Sequence, residues 1–288
     1  IREEGVCYKQ KFYGINCKKC MQFTPFIFCQ QNCLHCWRPK ELFTTNIKKI
    51  IKEAGKDVDN EKMIEKLIEE RKKLLIGFGG NKNVDKKNLY EALEPNHFAI
   101  SLVGDPLLYP KLVELIDLLK NKYDAKSIFI VTNCQEPLAL KKLIQSDVLN
   151  SSNVLVQLYL SINATNKHDF MKLNRPLYKD AWKRFLTFLK VAGKAKCRKV
   201  VRYTLIKGIN DKQKNVGEMK KLVNLCNPNF IEIKGYMHIG YSKLRLKKTN
   251  MPLHEDVKKF SERLLKELSS FVYKDEDKTS RIILLKKL

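Results

Sequence analysis

Six short apolar runs alternate with amphipathic helical stretches, and this alternation limits the fold more than any other feature of the chain. FTPFIFC, HFAISLVGD, SIFIVTN, NVLVQLYLSIN, KVVRYTLIKG and FIEIKGYM read as strands. DNEKMIEKLIEERKKLLIGF, YPKLVELIDLLKNKY, EPLALKKLIQS, KDAWKRFLTFLKVAG, NVGEMKKLVNLC and HEDVKKFSERLLKEL carry helical spacing. Near-continuous apolar strands separated by helices are buried on both faces, which means a parallel sheet. Six β/α units rather than eight predict an α/β fold, a partial TIM-like (β/α)6 barrel with its ligands at the carboxyl ends of the strands. The motif-bearing loops fall there: the cysteines after the first strand, then VGDP, TN, SIN, KGIN and KGYMHIGYS. Residues 1–28 read as a cysteine-rich segment, 29–270 as the barrel and 271–288 as a C-terminal extension. PKELFTTNIKKIIKEAGKDVD is polar and is expected to be an exposed insertion.

The first of these loops is FCQQNCLHCWRP, in which Cys29, Cys33 and Cys36 form a C-x3-C-x2-C array. A structural zinc closes its tetrahedron with four protein ligands, commonly as two C-x2-C knuckles. Cys33 and Cys36 make one knuckle and Cys17-x2-Cys20 lies upstream, so a zinc ribbon is the competing reading, although it leaves Cys29 over. A [4Fe–4S] cube takes four thiolates, so three leave one iron open to an outside ligand. The spacing, with the ring of His35 before the last cysteine, resembles the cluster loop of radical S-adenosylmethionine (SAM) enzymes. In that superfamily the open iron takes the amino and carboxylate groups of SAM.

Charge points to a partner. The 56 basic and 31 acidic residues leave +25, which suits a polyanion, most naturally a nucleic acid. Lysines on solvated helix faces such as KKFSERLLKEL are the plainer source of the same excess. No run of apolar residues is long enough to cross a membrane as a helix, and a cytoplasmic monomer is expected. The chain opens with IREEGVCYKQ, without an initiator methionine or a signal-peptide pattern, and is expected to be part of a longer one. Nine cysteines without a secretory signal argue against a disulfide scaffold. Cys134, Cys197 and Cys226, scattered through the barrel, read as small buried hydrophobes.

CYKQKFYGI, FCQQNCLHCWRP, ISLVGDPLLYP, LYLSINA, NRPLYKDAWKRF, VRYTLIKGIND and EIKGYMHIGYSKLRLKK together resemble the tRNA 4-demethylwyosine synthase family over nearly the whole chain. The resemblance implies a radical SAM lyase of wybutosine biosynthesis, with a barrel of the radical SAM type. It implies that 1-methylguanosine beside the anticodon of phenylalanine tRNA is converted to a tricyclic base, with pyruvate as carbon donor. It also implies a second [4Fe–4S] cluster held by three cysteines. Cys7 and Cys20 match two of these, and the third would fall upstream of Ile1, with Cys17 as a possible substitute. A flavodoxin-like electron donor, upstream in the same chain or external, completes the partners.

Carried onto this sequence, Gly104 and Asp105 occupy the Gly-Glu position that meets the SAM amino group. The glycine allows close backbone approach, and the aspartate is shorter than the family's usual glutamate. Thr132, Asn133, Ser161 and Asn163 resemble positions that meet the SAM ribose and carboxylate, with Asn163 in place of a common Asp. Arg202 is a candidate for steadying a carboxylate of SAM or pyruvate. Lys234, within the sixth strand, suits either a Schiff base with pyruvate or a simple cation for its carboxylate. His238 and Ser242 are candidates to face the adenine or the substrate. Arg245, Lys247 and Lys248 in SKLRLKK form the expected patch for tRNA phosphates, and Trp37 is expected to support the cluster or stack on a base. Two further readings stay open on the residues alone: a radical SAM activase of a glycyl-radical protein, and a zinc-stabilised RNA-binding protein without chemistry.

Overall fold

The computed structural model describes residues 5–39 and 57–288. The polar segment expected to be an exposed insertion lies largely outside the described residues. Six parallel strands come first: β1 (Cys20–Phe23), β2 (His97–Ile100), β3 (Ser127–Thr132), β4 (Leu155–Ile162), β5 (Arg198–Leu205) and β6 (Phe230–Gly235). They pair in chain order, from Cys20 opposite His97 to Leu205 opposite Gly235. The segment after residue 270 is a hairpin. Its strands β7 (Phe271–Asp277) and β8 (Ile282–Lys287) extend the same sheet, β8 running antiparallel to β6.

The helices are α1 (Tyr8–Tyr13), α2 (Asn60–Ile76), α3 (Lys86–Leu93), α4 (Leu112–Asn121), α5 (Pro137–Gln145), α6 (Lys167–Asn174), α7 (Ala181–Gly193), α8 (Gln213–Cys226) and α9 (His254–Glu267). Side-chain alternation along the strands divides the interior in two. Ile128, Ile130, Leu158 and Leu160 face outward and pack with helix residues such as Leu115, Leu140, Phe188 and Met219 in the main core. Phe129, Tyr159, Ala99 and Val200 face the concave side, where Ile15 joins them.

The first strand departs from expectation. The ladder ends at Phe23, and residues 24–28 leave the sheet. Pro25 has no N–H to give a ladder, and the backbone instead turns across the end of β2, with Thr24 Oγ1 accepting from the Val103 N–H at 2.6 Å. The cysteine loop therefore starts one step beyond the sheet, over the mouth. α1 is the second departure. It ends at Gly14, whose φ of +69° lets its N–H close on the Gln10 carbonyl. Its Tyr13 ring packs edge-on to Phe230 at 5.5 Å.

Candidate active site

The cysteine loop is held mainly through its backbone. Gly104 has φ +68°, and a Cβ there would fall 2.4 Å from the carbonyl oxygens of both Phe26 and Phe28. Only glycine lets the β2 loop come this close. Asp105 N–H then donates to Phe28 O at 3.0 Å. On the far side, Asn32 and Leu34 donate to carbonyls at the end of α6, and Leu177 donates to Gln30 O. Beneath the loop lies Arg245, whose guanidinium donates to the carbonyls of Cys33 (3.3 Å), Cys36 (2.5 Å) and Arg38 (3.0 Å). Side-chain contacts also reach the thiols: Asn133 Nδ2 lies 3.3 Å from Cys29 Sγ, and Cys33 Sγ lies 3.3 Å from Gln31 Oε1.

Several site residues expected from sequence surround this loop, each with a definite partner. The Asp105 carboxylate is buried and turned into the protein. It accepts from Leu107 N–H (2.9 Å), Thr132 Oγ1 (2.9 Å) and Asn133 N–H (2.8 Å). Burial outweighs these bonds and raises its pKa to about 6. Burial, with the Arg245 charge, lowers that of His35 to about 4, so its ring is neutral at physiological pH. Asn210 Nδ2 donates to Asn163 O at 2.8 Å. Ser161 closes β4 opposite Arg202. Ser242 is buried, with its hydroxyl 2.9 Å from Tyr236 OH and donating to Ile239 O. His238 Nε2 lies 2.9 Å from Leu246 O. Lys247 and Lys248 are exposed, whereas Arg245, grouped with them in sequence, points inward beneath the cysteines.

The donor set suits an iron–sulfur cube carrying SAM. Three thiols lie on one clamped loop, and in a cube each would bind a different iron. Among the buried side-chain atoms without a partner among the described residues are Asn133 Oδ1 and Asn163 Oδ1, at the ends of β3 and β4. Buried polar groups are rarely left so, and a polar ligand at the strand ends would satisfy these two. The chemistry such a group would supply here, once bound and reduced, is the electron for SAM cleavage.

Deeper in the barrel a charged group faces the concave side. Glu232 of β6 is fully buried. It accepts from Tyr13 OH at 2.6 Å, Tyr159 OH at 3.0 Å and Arg202 Nε at 2.8 Å. Arg202 also donates to Tyr8 OH at 2.7 Å, so its fork is taken up by protein groups. Two lysine amines share this space without a hydrogen bond or ion pair among the described residues. Lys234 Nζ stands 4.6 Å from the centre of the Tyr8 ring, and burial, with the Arg202 charge, lowers its pKa to about 8. Lys9 Nζ stands over Phe129 at 4.6 Å and Tyr159 at 5.6 Å, and burial and then Arg202 push its pKa below the ordinary lysine value. Cys20, at the start of β1, has its thiol pKa raised by burial, with Cys7 and Cys17 near enough to add to the shift. Cys7 itself is exposed beside α1.

Lys9 was not singled out in the sequence, nor were Tyr8, Tyr13, Tyr159 and Glu232. The available signal was small: the aromatic-rich YKQKFY stretch directly after Cys7, stopped by a glycine.

Comparison with known proteins fixes the class. The family described as the Radical SAM superfamily matches residues 23–219, and the chain belongs to it. The description Wyosine base formation matches residues 225–287. A Pyrococcus abyssi protein named S-adenosyl-L-methionine-dependent tRNA 4-demethylwyosine synthase is 39% identical over 99% of this chain and 80% of its own length. A Methanocaldococcus jannaschii protein of the same name is 38% identical over 98% and 86%. The chain is therefore a radical SAM enzyme of the tRNA 4-demethylwyosine synthase family. A solved structure described as TYW1 with a lysine-pyruvate adduct bound superposes with a TM-score of 0.82 at 33% identity, over 99% of this chain and 85% of that one. This membership sets aside the zinc-binding and glycyl-radical readings. Among the described residues no helix is long and apolar enough to cross a membrane.

Proposed function

We propose that this chain converts 1-methylguanosine beside the anticodon of phenylalanine tRNA to 4-demethylwyosine, with pyruvate as the carbon donor. The observation that carries the reading is the placement of two desolvated lysine amines inside the barrel whose mouth is closed by the cysteine loop. A neutral amine attacks a ketone carbonyl to form an imine, and burial raises the neutral fraction at physiological pH. Lys9 is the better placed of the two. It projects over β3 and β4, in the middle of the sheet, whereas Lys234 lies on β6 beside the added hairpin. Lys9 is also two residues from Cys7, one of the thiols assigned to a second cluster with Cys20.

The mouth residues then have separate tasks in this reading. Thr132, Asn133, Ser161 and Asn163 line the SAM side of the mouth, Gly104 brings the β2 loop against the cysteine loop, and Asp105 organises that wall from behind. Arg202 keeps Tyr8 and Glu232 in place beside the amines. Lys247 and Lys248 take tRNA phosphates, and an outside flavodoxin-like protein or domain supplies electrons. The dry interior protects a carbon radical from water.

The test is mass spectrometry of 1-methylguanosine-containing tRNA after anaerobic incubation with reduced enzyme, SAM and pyruvate. The expected product is the tricyclic base, carrying label from pyruvate. SAM cleavage with an unmodified base, or a product without pyruvate carbon, would overturn the proposal.

A further inference from the structure

Trp37 and Tyr241 stand on adjoining loops at the rim of the mouth; their backbones help hold the cysteine loop, while their side chains are open to solvent. Both are large and open to solvent, at 46% and 41% exposure. Their backbones are pinned together: Tyr241 N–H donates to Trp37 O at 2.9 Å. Gly240, with φ +54°, approaches the same carbonyl so closely that a Cβ would fall 2.4 Å from it. The Arg38 guanidinium lies 3.9 Å from the centre of the Trp37 ring, and its Nη2 donates to Leu102 O at 2.7 Å. The indole is thus braced from one side by an arginine that is itself tied down. Met237 and Ile239, before Gly240, are also exposed.

An exposed apolar rim on a mouth marks a contact surface, and the charge beside it selects the partner. Lys243, Lys247 and Lys248 follow Tyr241 and are exposed, in a chain of net charge +25. A partner that combines flat apolar faces with closely spaced negative charge is single-stranded RNA, whose unstacked bases lie on aromatic rings while lysines take its phosphates. A base drawn out of a stack for chemistry leaves its neighbour without a partner.

We propose that Trp37 and Tyr241 form a stacking platform for a nucleobase adjacent to the one that enters the barrel. The inference rests on the tRNA reading above and deepens it: it assigns recognition of the flanking base to the rim, separate from the phosphates held by lysines.

The test is a double cycle with the anaerobic, cluster-loaded enzyme. Affinity is measured for an anticodon stem-loop RNA carrying 1-methylguanosine, and for the same RNA made abasic at each flanking nucleotide in turn. Trp37→Leu should weaken binding of the intact loop about tenfold. Against the loop abasic at the stacked position, it should bind no more weakly than the native enzyme. Trp37→Phe, which keeps an aromatic face, should retain most of the affinity and serves as the readout if the leucine variant loses iron. The salt dependence should be unchanged in both variants, because stacking releases no counterions. Equal weakening on intact and abasic loops, or no weakening at all, would overturn the platform while leaving the tRNA reading intact. Failure of the native enzyme to bind any of the RNAs would remove both.

Discussion

The cysteine loop and the barrel interior are built by opposite means. The loop is tied by backbone hydrogen bonds, two glycine contacts and one arginine that gathers three carbonyls. Its fold thus rests on few of its own side chains. The interior is tied by side chains from three elements converging on the carboxylate of Glu232 on β6, with the cationic groups Arg202, Lys234 and Lys9 around it. A loop held by its backbone tolerates side-chain change except at ligands and glycines. An interior held by charge depends on every member, because an unpaired buried charge is costly.

The largest effect expected on the loop side is from Cys33→Ala. A cube lacking one of its three thiolates cannot keep its open iron in place, so SAM cleavage should fall to background. Normal production of 5′-deoxyadenosine by this variant would show that the loop does not hold the cluster.

On the interior side, Glu232→Gln removes the carboxylate that Arg202 pairs with. Breaking a buried pair in this way costs about 3–5 kcal/mol, to be read by chemical denaturation. A loss under about 1 kcal/mol, the level of an exposed ion pair, would mean the interior is wetter than the contrast requires.

Arg245 and the Lys247–Lys248 pair divide between loop and solvent within one short segment. Arg245→Ala takes away three charge-assisted bonds beneath the cysteines, so iron retention should fall while the salt dependence of tRNA binding stays nearly unchanged. Lys247→Ala with Lys248→Ala should do the reverse, lowering the slope of log affinity against log salt by about one to two. The same slope change from Arg245→Ala would place its guanidinium on phosphate rather than under the loop.

How much of this was legible in the sequence follows the same division. The three cysteines, Gly104 and the strand-end residues lie in short contiguous motifs, and the six β/α units announce themselves by periodicity. The interior was mostly hidden. Lys9 sits on a helix of six residues, too short to show a period, and its burial depends on Phe129 and Tyr159, more than a hundred residues away in sequence. Arg245 looked like a member of a solvated cationic run because the sequence does not reveal which side chain turns inward. The antiparallel hairpin after residue 270 read as an extension because FVYKDED alternates weakly, yet it completes the sheet beside Lys234.

The most direct test of the account is to trap pyruvate on the enzyme. Holoenzyme is incubated anaerobically with SAM and labelled pyruvate, reduced with borohydride, digested and mapped by mass spectrometry. Trapping should rise with pH and reach its plateau below the ordinary lysine pKa of 10.5, since burial lowers the proton affinity of both amines. Label is expected on the peptide containing Lys9, with its loss in Lys9→Arg and its persistence in Lys234→Arg. Label on Lys234 would move the reacting amine to the β6 side of the interior. Label on neither lysine would contradict the claim that the barrel interior is where pyruvate is held.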